Sequence, residues 1–216
     1  LFETLFQLGV VVVATSNWPP DQLYEGGLQR EHFLPFIALV KERLDIMELD
    51  GPTDHRLARL KTMNVYHTPL SRRTSNLLEE AFVALTAGAR PIAETLTVKG
   101  REMAIPRAVA GVARFAFAEL CEAALGAEDY LAIARRYHAV ILDGVPKLSP
   151  ERRDVARRFM TLIDALYEHR VKLVVGAEAL PEKLYPQGQV AFEFQRTVSR
   201  LAEMQSASYL AAPHLG

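Results

Sequence analysis

The sequence predicts an α/β fold built on a parallel sheet. Three short apolar runs, at residues 10–14, 139–146 and 171–178, are each flanked by segments with helical periodicity. Strands of a parallel sheet are covered by helices on both faces, so they are apolar almost continuously rather than in alternation. Glycine, proline or small polar residues follow each run, and such residues end strands. We therefore expect a first α/β unit, a β-hairpin and a second α/β unit.

The first unit is predicted over residues 1–56. Residues 1–8 place leucines on one helical face, and the strand at residues 10–14 follows a glycine. Prolines end the next turn, and helical patterns resume at residues 21–24 and 30–44. A second strand is predicted at residues 45–51, and it ends at Gly51-Pro52.

A connecting region resembling a lid is predicted over residues 57–110. It contains an amphipathic helix at residues 74–88, with Thr74 or Ser75 as the N-cap and Gly88 as its end. Three β-like runs follow, and Lys99-Gly100 is a typical hairpin turn.

The second α/β unit is predicted over residues 111–216, including a C-terminal helix. Helices are expected at residues 126–138, 149–170 and 193–210, alternating with the second and third apolar runs. The last six residues, 211–216, carry no pattern and are expected to be frayed.

Bulk composition excludes several classes of function. The chain has 216 residues, a net charge of −1 and a single cysteine, Cys121. A nearly neutral chain offers no basic field for nucleic acid, and one cysteine cannot form an internal disulfide, which suits a reducing compartment. No apolar run reaches the roughly 18 residues of a membrane span, and no histidine or cysteine pair has metal-ligand spacing. We expect no bound metal held by such a cluster, no nucleic acid and no membrane span.

An internal repeat relates the two units. Residues 1–28 align with residues 162–189 without a gap, and eight of the 28 positions are identical. The identical pairs are Leu1/Leu162, Leu5/Leu166, Val10/Val171, Val13/Val174, Pro20/Pro181, Leu23/Leu184, Tyr24/Tyr185 and Gly27/Gly188. We interpret this as two helix–strand–proline–helix units of the same geometry, with common ancestry left open.

The two copies differ at the end of the strand. The first copy has Asn17 and the second has Glu178 at the aligned position. Ligands of open α/β sheets bind beyond the carboxyl ends of the strands. An asparagine there can hold a water or a phosphate oxygen, whereas a glutamate would repel phosphate. If only one copy faces a nucleotide, it is the first.

Long motifs resemble the AFG-one-like AAA+ ATPases, a family with bacterial cell-division and mitochondrial members. The first motif is "VVVVATSNWPPDQLYEGGLQREHFLPFIALVKERLDIMELDGPTDHR". Others are "FAFAELCEAALGAEDYLAIARRYHAVILDGVPKLS", "RRFMTLIDALYEHRVKL" and "FQRTVSRLAEMQSASYL". They occur in order and cover essentially the whole chain. The resemblance implies that residues 1–56 are the C-terminal part of an AAA+ core, which belongs to the P-loop NTPase-like folds.

The resemblance assigns catalytic roles to two residues. Asn17 matches the sensor-one position, where a neutral side chain orients the attacking water near the γ-phosphate. Arg30 matches an arginine finger, which acts in trans on the nucleotide of a neighbouring subunit. From the residues alone, Asn17 could equally cap the next turn, and Arg30 could be a surface residue paired with Glu31 or Asp21.

Arg196 and Arg200 are weaker candidates for nucleotide binding. They lie four residues apart on one helical face, so they could reach a phosphate or a neighbouring subunit. A solvated helix face is the equal alternative.

Three features depart from the family pattern. Trp18 stands where the family usually has arginine. The phosphate-binding GxxxxGK[ST] loop and the Walker-B acidic pair are not in the sequence. In the second copy Asp143 occupies a Walker-B-like position, but Gly144 replaces the catalytic glutamate. The resemblance therefore implies a C-terminal portion that binds no ATP tightly by itself.

The predicted function is that of an AAA+ ATPase, exercised by the full-length protein. It would bind ATP and Mg²⁺, assemble as a homo-oligomeric ring, and remodel or extract protein clients at the division site or the membrane. A cytoplasmic, bacterial location is expected, at most peripheral to the inner membrane. The alternative is a non-catalytic α/β interaction module, in which Asn17 and Arg30 are structural.

Overall fold

The computed structural model describes residues 2–16, 19–23, 30–47 and 64–216. These residues divide into two units, Leu1–Pro52 and Thr53–Gly216. The second unit contains a six-stranded, mostly parallel sheet with helices. The predicted α/β class is confirmed, and the fold is consistent with a P-loop NTPase-like AAA+ core.

The first unit is described by its helices and turns. Helices α1 and α2 are joined through segments that include two short 3₁₀ turns, which both contact α2. The elements are α1 (Phe2–Gln7), the turns Pro20–Gln22 and Arg30–His32, and α2 (Leu34–Arg43). Pro35 lies in the first turn of α2, where a missing N–H costs no helical hydrogen bond.

The second unit alternates helices and strands. Its helices are α3 (Arg72–Thr86), α4 (Ala127–Arg136), α5 (Arg153–Glu168), α6 (Ala191–Glu203) and α7 (Ala207–Ala211). Its strands are β1 (Tyr66–His67), β2 (Ile92–Val98), β3 (Arg101–Val109), β4 (Val112–Ala116), β5 (Ala139–Val145) and β6 (Lys172–Ala177). A π-helical turn, Ala118–Glu122, follows β4, and 3₁₀ turns precede α5 and follow β6.

The strand order is β1-β6-β5-β4-β3-β2. The first three neighbouring pairs are parallel, and the hairpin adds two antiparallel pairs at one edge. Lys99 and Gly100 have φ angles of +48° and +79°, which a two-residue hairpin turn of the right twist requires. The hairpin predicted at this dipeptide is confirmed.

Alternating side chains of the sheet enter two hydrophobic cores. Val140 and Leu142 belong to the larger core, together with apolar residues of α4, α5 and α6. Ala139 and Ile141 belong to the smaller core, beneath α3. Because both faces of β5 are buried, its apolar run is continuous, as the sequence predicts.

The predicted strand at residues 10–14 is wrong. Residues 10–16 form no strand in the structure, and Val11 and Val13 are 86% and 91% exposed. A strand exists only beside a hydrogen-bonded neighbour, and the described residues of the first unit provide none. The aligned run in the second copy is β6, which lies between β1 and β5. The same pattern therefore forms a strand only where neighbours are present.

The repeat is visible in a local detail of both units. The 3₁₀ turns Pro20–Gln22 and Pro181–Lys183 occupy aligned positions of the two copies. In each, the preceding residue is extended and the proline supplies the first turn residue with its fixed φ. The shared local geometry supports the internal repeat.

The C-terminal residues are docked, contrary to the expected fraying. The predicted helix at residues 193–210 is broken after Glu203, and Ser206 caps α7 by accepting a hydrogen bond from the Tyr209 N–H. Beyond α7, His214 Nε2 lies 2.7 Å from the Ala134 carbonyl oxygen, and the Leu215 N–H donates to the His169 carbonyl. Hydrogen bonds to the ends of α4 and α5 hold the tail in place.

Lys172 anchors α7 from inside the protein. Its side chain is 1% exposed, and Nζ donates to the carbonyls of Arg170, Tyr209 and Ala212 at 3.0, 3.0 and 2.6 Å. The ammonium also lies 5.1 Å from the centre of the Tyr209 ring. No carboxylate among the described residues forms an ion pair with it. Burial lowers the pKa of Lys172 to about 8.

Gly176 allows close contact between β6 and α3, and Gly176→Ala is expected to destabilise the second unit. An added Cβ would lie 2.8 Å from Leu78 Cδ1 and 3.1 Å from Thr74 Cγ2, inside a packed core. Overpacking of this kind costs about 1–3 kcal/mol, more than the gain from replacing a strand glycine. Urea denaturation measures the change in the free energy of unfolding. An unchanged or higher free energy would show that α3 moves aside without cost.

Candidate functional site

Asn17 lies outside the described residues, as does Trp18. The assignment of Asn17 as a sensor therefore stays a prediction. The described part of the candidate site is the surroundings of Arg30.

Arg30 begins the 3₁₀ turn immediately before α2. Its Nη2 donates a hydrogen bond of 2.5 Å to the backbone carbonyl of Asp21, in the other 3₁₀ turn of this unit. Its Nε is buried and has no hydrogen-bond partner among the described residues. One backbone contact thus holds the side chain, while part of its donor capacity is unused.

The Asp21 carboxylate is bound elsewhere. Both of its oxygens accept from Lys41 Nζ, at 3.0 and 2.9 Å. Within the described ranges neither Asp21 nor Glu31 forms an ion pair with Arg30. A carbonyl oxygen is neutral, so the guanidinium charge of Arg30 is not compensated by these residues.

Arg196 and Arg200 connect α6 to α5. Both form ion pairs with Asp164, and Arg200 Nη2 also lies 3.4 Å from Glu168 Oε1. The guanidinium of Arg200 stacks over the Tyr167 ring at 4.8 Å. Each of these contacts is made within the second unit, so both side chains are occupied in helix packing.

A charged network lies between α3 and the sheet, and no sequence pattern predicted it. Arg107 and Arg114 are directly opposite each other on β3 and β4, an arrangement of like charges that is unfavourable by itself. Glu79 of α3 accepts from both guanidinium groups, and Arg114 Nη2 donates to Asp143 Oδ2 at 2.9 Å. Hydrogen bonding to Arg107 is the main reason that the pKa of Glu79 is lowered.

Asp143, the Walker-B-like aspartate of the second copy, is part of this network. Asp143 is near the carboxyl end of β5, where ligands of parallel sheets bind, but its carboxylate is neutralised by Arg114. Glu178, which is aligned with Asn17, accepts the backbone N–H of Lys147 at 2.8 Å. The polar groups at these strand ends are satisfied by the chain itself.

Three further observations limit the chemistry of the described residues. Burial raises the pKa of the Cys121 thiol, which argues against its use as a nucleophile. In the part of the chain that the structure describes, no cluster of three or more histidine, cysteine, aspartate or glutamate side chains could hold a metal. None of the described helices is long and apolar enough to cross a membrane.

Comparison with known proteins settles the family. The sequence model of the AFG1-like ATPases matches residues 1–213. The chain belongs to the AFG1-like ATPase family. This agrees with the resemblance of the four long motifs and with the α/β fold.

Three relatives show how far the similarity extends. Cell division protein ZapE of Escherichia coli K12 is 40% identical over all of this chain, which covers 57% of ZapE. Lactation elevated protein 1 homolog B of Danio rerio is 39% identical over 97% of this chain and 48% of its own length. Uncharacterized protein C115.02c of Schizosaccharomyces pombe is 36% identical over 99% of this chain and 54% of its own. No solved structure matches.

The chain thus spans about half the length of the AFG1-like relatives that it matches. Membership in an ATPase family indicates nucleotide and Mg²⁺ use among the relatives. Arg30 and Arg196 lie in different electrostatic surroundings, because Arg196 pairs with Asp164 whereas Arg30 forms no ion pair with a described residue.

Proposed function

We propose that the full-length protein is an AAA+ ATPase that works as a homo-oligomeric ring, and that this chain supplies Asn17 in cis and Arg30 in trans. The observation that carries the proposal is the state of Arg30. Its guanidinium is held by a neutral carbonyl and forms no ion pair with the described residues. These are the properties required of a group that neutralises charge on another subunit.

Phosphoryl transfer explains why an arginine is needed. Bound ATP would supply the phosphoryl group that is transferred to water, and Mg²⁺ would neutralise part of the phosphate charge. Charge spreads over the equatorial oxygens in the transition state, and a planar guanidinium donates to two such oxygens at once. Asn17 would orient the attacking water through its neutral amide. Arg30 would lower the barrier, and neither residue needs to change its protonation state.

The second unit fits the alternative role of a non-catalytic scaffold. Arg196, the counterpart of Arg30 when five residues are inserted in the alignment, pairs with Asp164. Asp143 pairs with Arg114, and the strand end carries Glu178 in place of asparagine. We propose that residues 111–216 support an ATPase core that includes residues 1–56, with residues 57–110 connecting them. Nucleotide binding by Arg196 and Arg200 is not required in this arrangement.

The clients proposed for the ring are proteins. One relative is named as a cell division protein, which supports clients at the division site or associated with the membrane. We propose a cytoplasmic location, at most peripheral to the inner membrane.

Subunit mixing tests the proposed roles. Arg30→Ala and Asn17→Ala are each prepared in the full-length protein, and ATP hydrolysis is measured for each variant and for their mixture. Each variant alone should be inactive. In mixed rings about a quarter of the interfaces would combine an intact Asn17 with a neighbour's intact Arg30, so activity should return. Full activity in both single variants would favour the scaffold for the whole chain.

A further inference from the structure

We propose that Lys41 is a positioning residue for Arg30: by binding the Asp21 carboxylate, it keeps that carboxylate from neutralising the guanidinium. This inference rests on the proposed function, since it assigns a positioning residue to the arginine finger. Three described residues carry it, and all belong to the first unit.

Asp21 presents two acceptors to two different cations. Its backbone carbonyl accepts from Arg30 Nη2 at 2.5 Å, and its carboxylate accepts from Lys41 Nζ at 3.0 and 2.9 Å. Lys41 therefore binds the negatively charged carboxylate of Asp21, and only the neutral carbonyl of Asp21 contacts Arg30. Arg30 is held in place by the neutral acceptor.

Without Lys41, the Asp21 carboxylate could pair with Arg30, whose Nη2 already binds the backbone carbonyl of the same residue. The Asp21 side chain is 72% exposed, so it is free to rotate once the ammonium is removed. A guanidinium can donate two parallel hydrogen bonds to one carboxylate, so the freed Asp21 side chain could form a bidentate pair with Arg30. Such a pair would compensate the charge of Arg30 and compete with the phosphate oxygens of the neighbouring subunit.

Helix α2 fixes the distance between the two cations. Arg30 lies in the turn that leads into α2, and Lys41 lies in the last turn of the same helix. A lysine there also interacts favourably with the helix dipole, as Arg43 does in the same turn. Arg43 pairs with its neighbour Glu42 and not with Asp21. It therefore interacts with the helix dipole as Lys41 does, but it does not hold the Asp21 carboxylate.

The experiment compares steady-state ATP hydrolysis by the full-length protein and four variants. These are Lys41→Met, Asp21→Asn, the double variant of both, and Arg43→Met as the matched control. Lys41→Met should lower kcat about fivefold, as expected for loss of a surface charge interaction, with little change in the KM for ATP. Arg43→Met should leave kcat unchanged.

The double variant provides the decisive comparison. Asp21→Asn removes the competing carboxylate, so adding Lys41→Met to it should have no further effect on kcat. If Lys41 merely stabilised the fold, Asp21→Asn would be as harmful as Lys41→Met and the double variant would show no rescue. That pattern, or an unchanged kcat in Lys41→Met, would overturn the inference. Equal thermal midpoints of Lys41→Met and Arg43→Met exclude unfolding as the cause.

Arg30→Ala in the same assay separates this inference from the proposed function. Retained activity in Arg30→Ala would refute the arginine finger and the inference with it. An inactive Arg30→Ala, together with an unaffected Lys41→Met, would refute only the role of Lys41.

Discussion

Arg30→Ala is expected to lower the kcat of ATP hydrolysis by the full-length protein by a factor of about 10³ or more. The loss follows from removing a cation that acts in the transition state, on the nucleotide of the next subunit. Because the neighbouring subunit binds the nucleotide mainly through other groups, the dissociation constant for ATP should change much less. Single-turnover hydrolysis and equilibrium nucleotide binding measure the two effects separately.

Two further substitutions sharpen this expectation. Arg30→Lys keeps the charge but loses the planar fork, so it should recover only a small part of the activity. Arg196→Ala removes the aligned arginine of the second copy, which is already paired with Asp164. Its effect on kcat should be small. A loss as large as that of Arg30→Ala would indicate that Arg196 contacts nucleotide despite its ion pair.

The second large effect is a pH dependence caused by Lys172. Burial lowers its pKa in the folded protein to about 8, from 10.5 for an exposed lysine. Below pH 8 the side chain is charged in both states, and the folded state bears the cost of burying the charge. Between pH 8 and 10.5 Lys172 has released its proton in the folded state but not in the unfolded state. The free energy of unfolding therefore rises with pH over this range.

Lys172→Met isolates this contribution. The free energy of unfolding of the native protein minus that of Lys172→Met should increase by about 2–3 kcal/mol between pH 7.5 and 10.5, at 1.36 kcal/mol per pKa unit. Tyrosines that titrate in the same range are present in both proteins and cancel in the difference. Urea denaturation at several pH values gives the result, with Lys183→Met as an exposed control. A difference that stays flat would mean that Lys172 keeps an ordinary pKa.

Local patterns predicted the second unit well. The continuous apolar runs at β5 and β6, the helix periodicity of α3 to α6 and the Lys99-Gly100 turn each depend on neighbours in sequence. Helix ends were less accurate, because Ser71, not Thr74 or Ser75, accepts the capping hydrogen bond from the Thr74 N–H. Several polar residues near a helix start compete as caps, and tertiary packing decides between them.

Features that depend on distant residues were not predictable. The valines at residues 10–14 have the composition of a strand, but strand formation requires a neighbour that composition cannot reveal. Likewise, Glu79, Arg107 and Arg114 look like ordinary surface charges until the sheet register places the two arginines opposite each other. For the candidate site, the family resemblance pointed to Arg30, and its role stays a prediction. The contacts of Asp21 with both Arg30 and Lys41 could be recognised only from atomic positions.

The parallel pairing of β1 with β6 has a consequence for how the protein folds during synthesis. Tyr66 pairs with Val175, more than a hundred residues later, and its hydroxyl donates to the carbonyl of Ala179. Contacts between such distant residues raise the contact order and slow folding, because a long loop must close first. Strand β1 cannot join the sheet until Ala179 has left the ribosome. Until then Val65 and Tyr66 remain uncovered, so the nascent chain is expected to depend on chaperones at this stage.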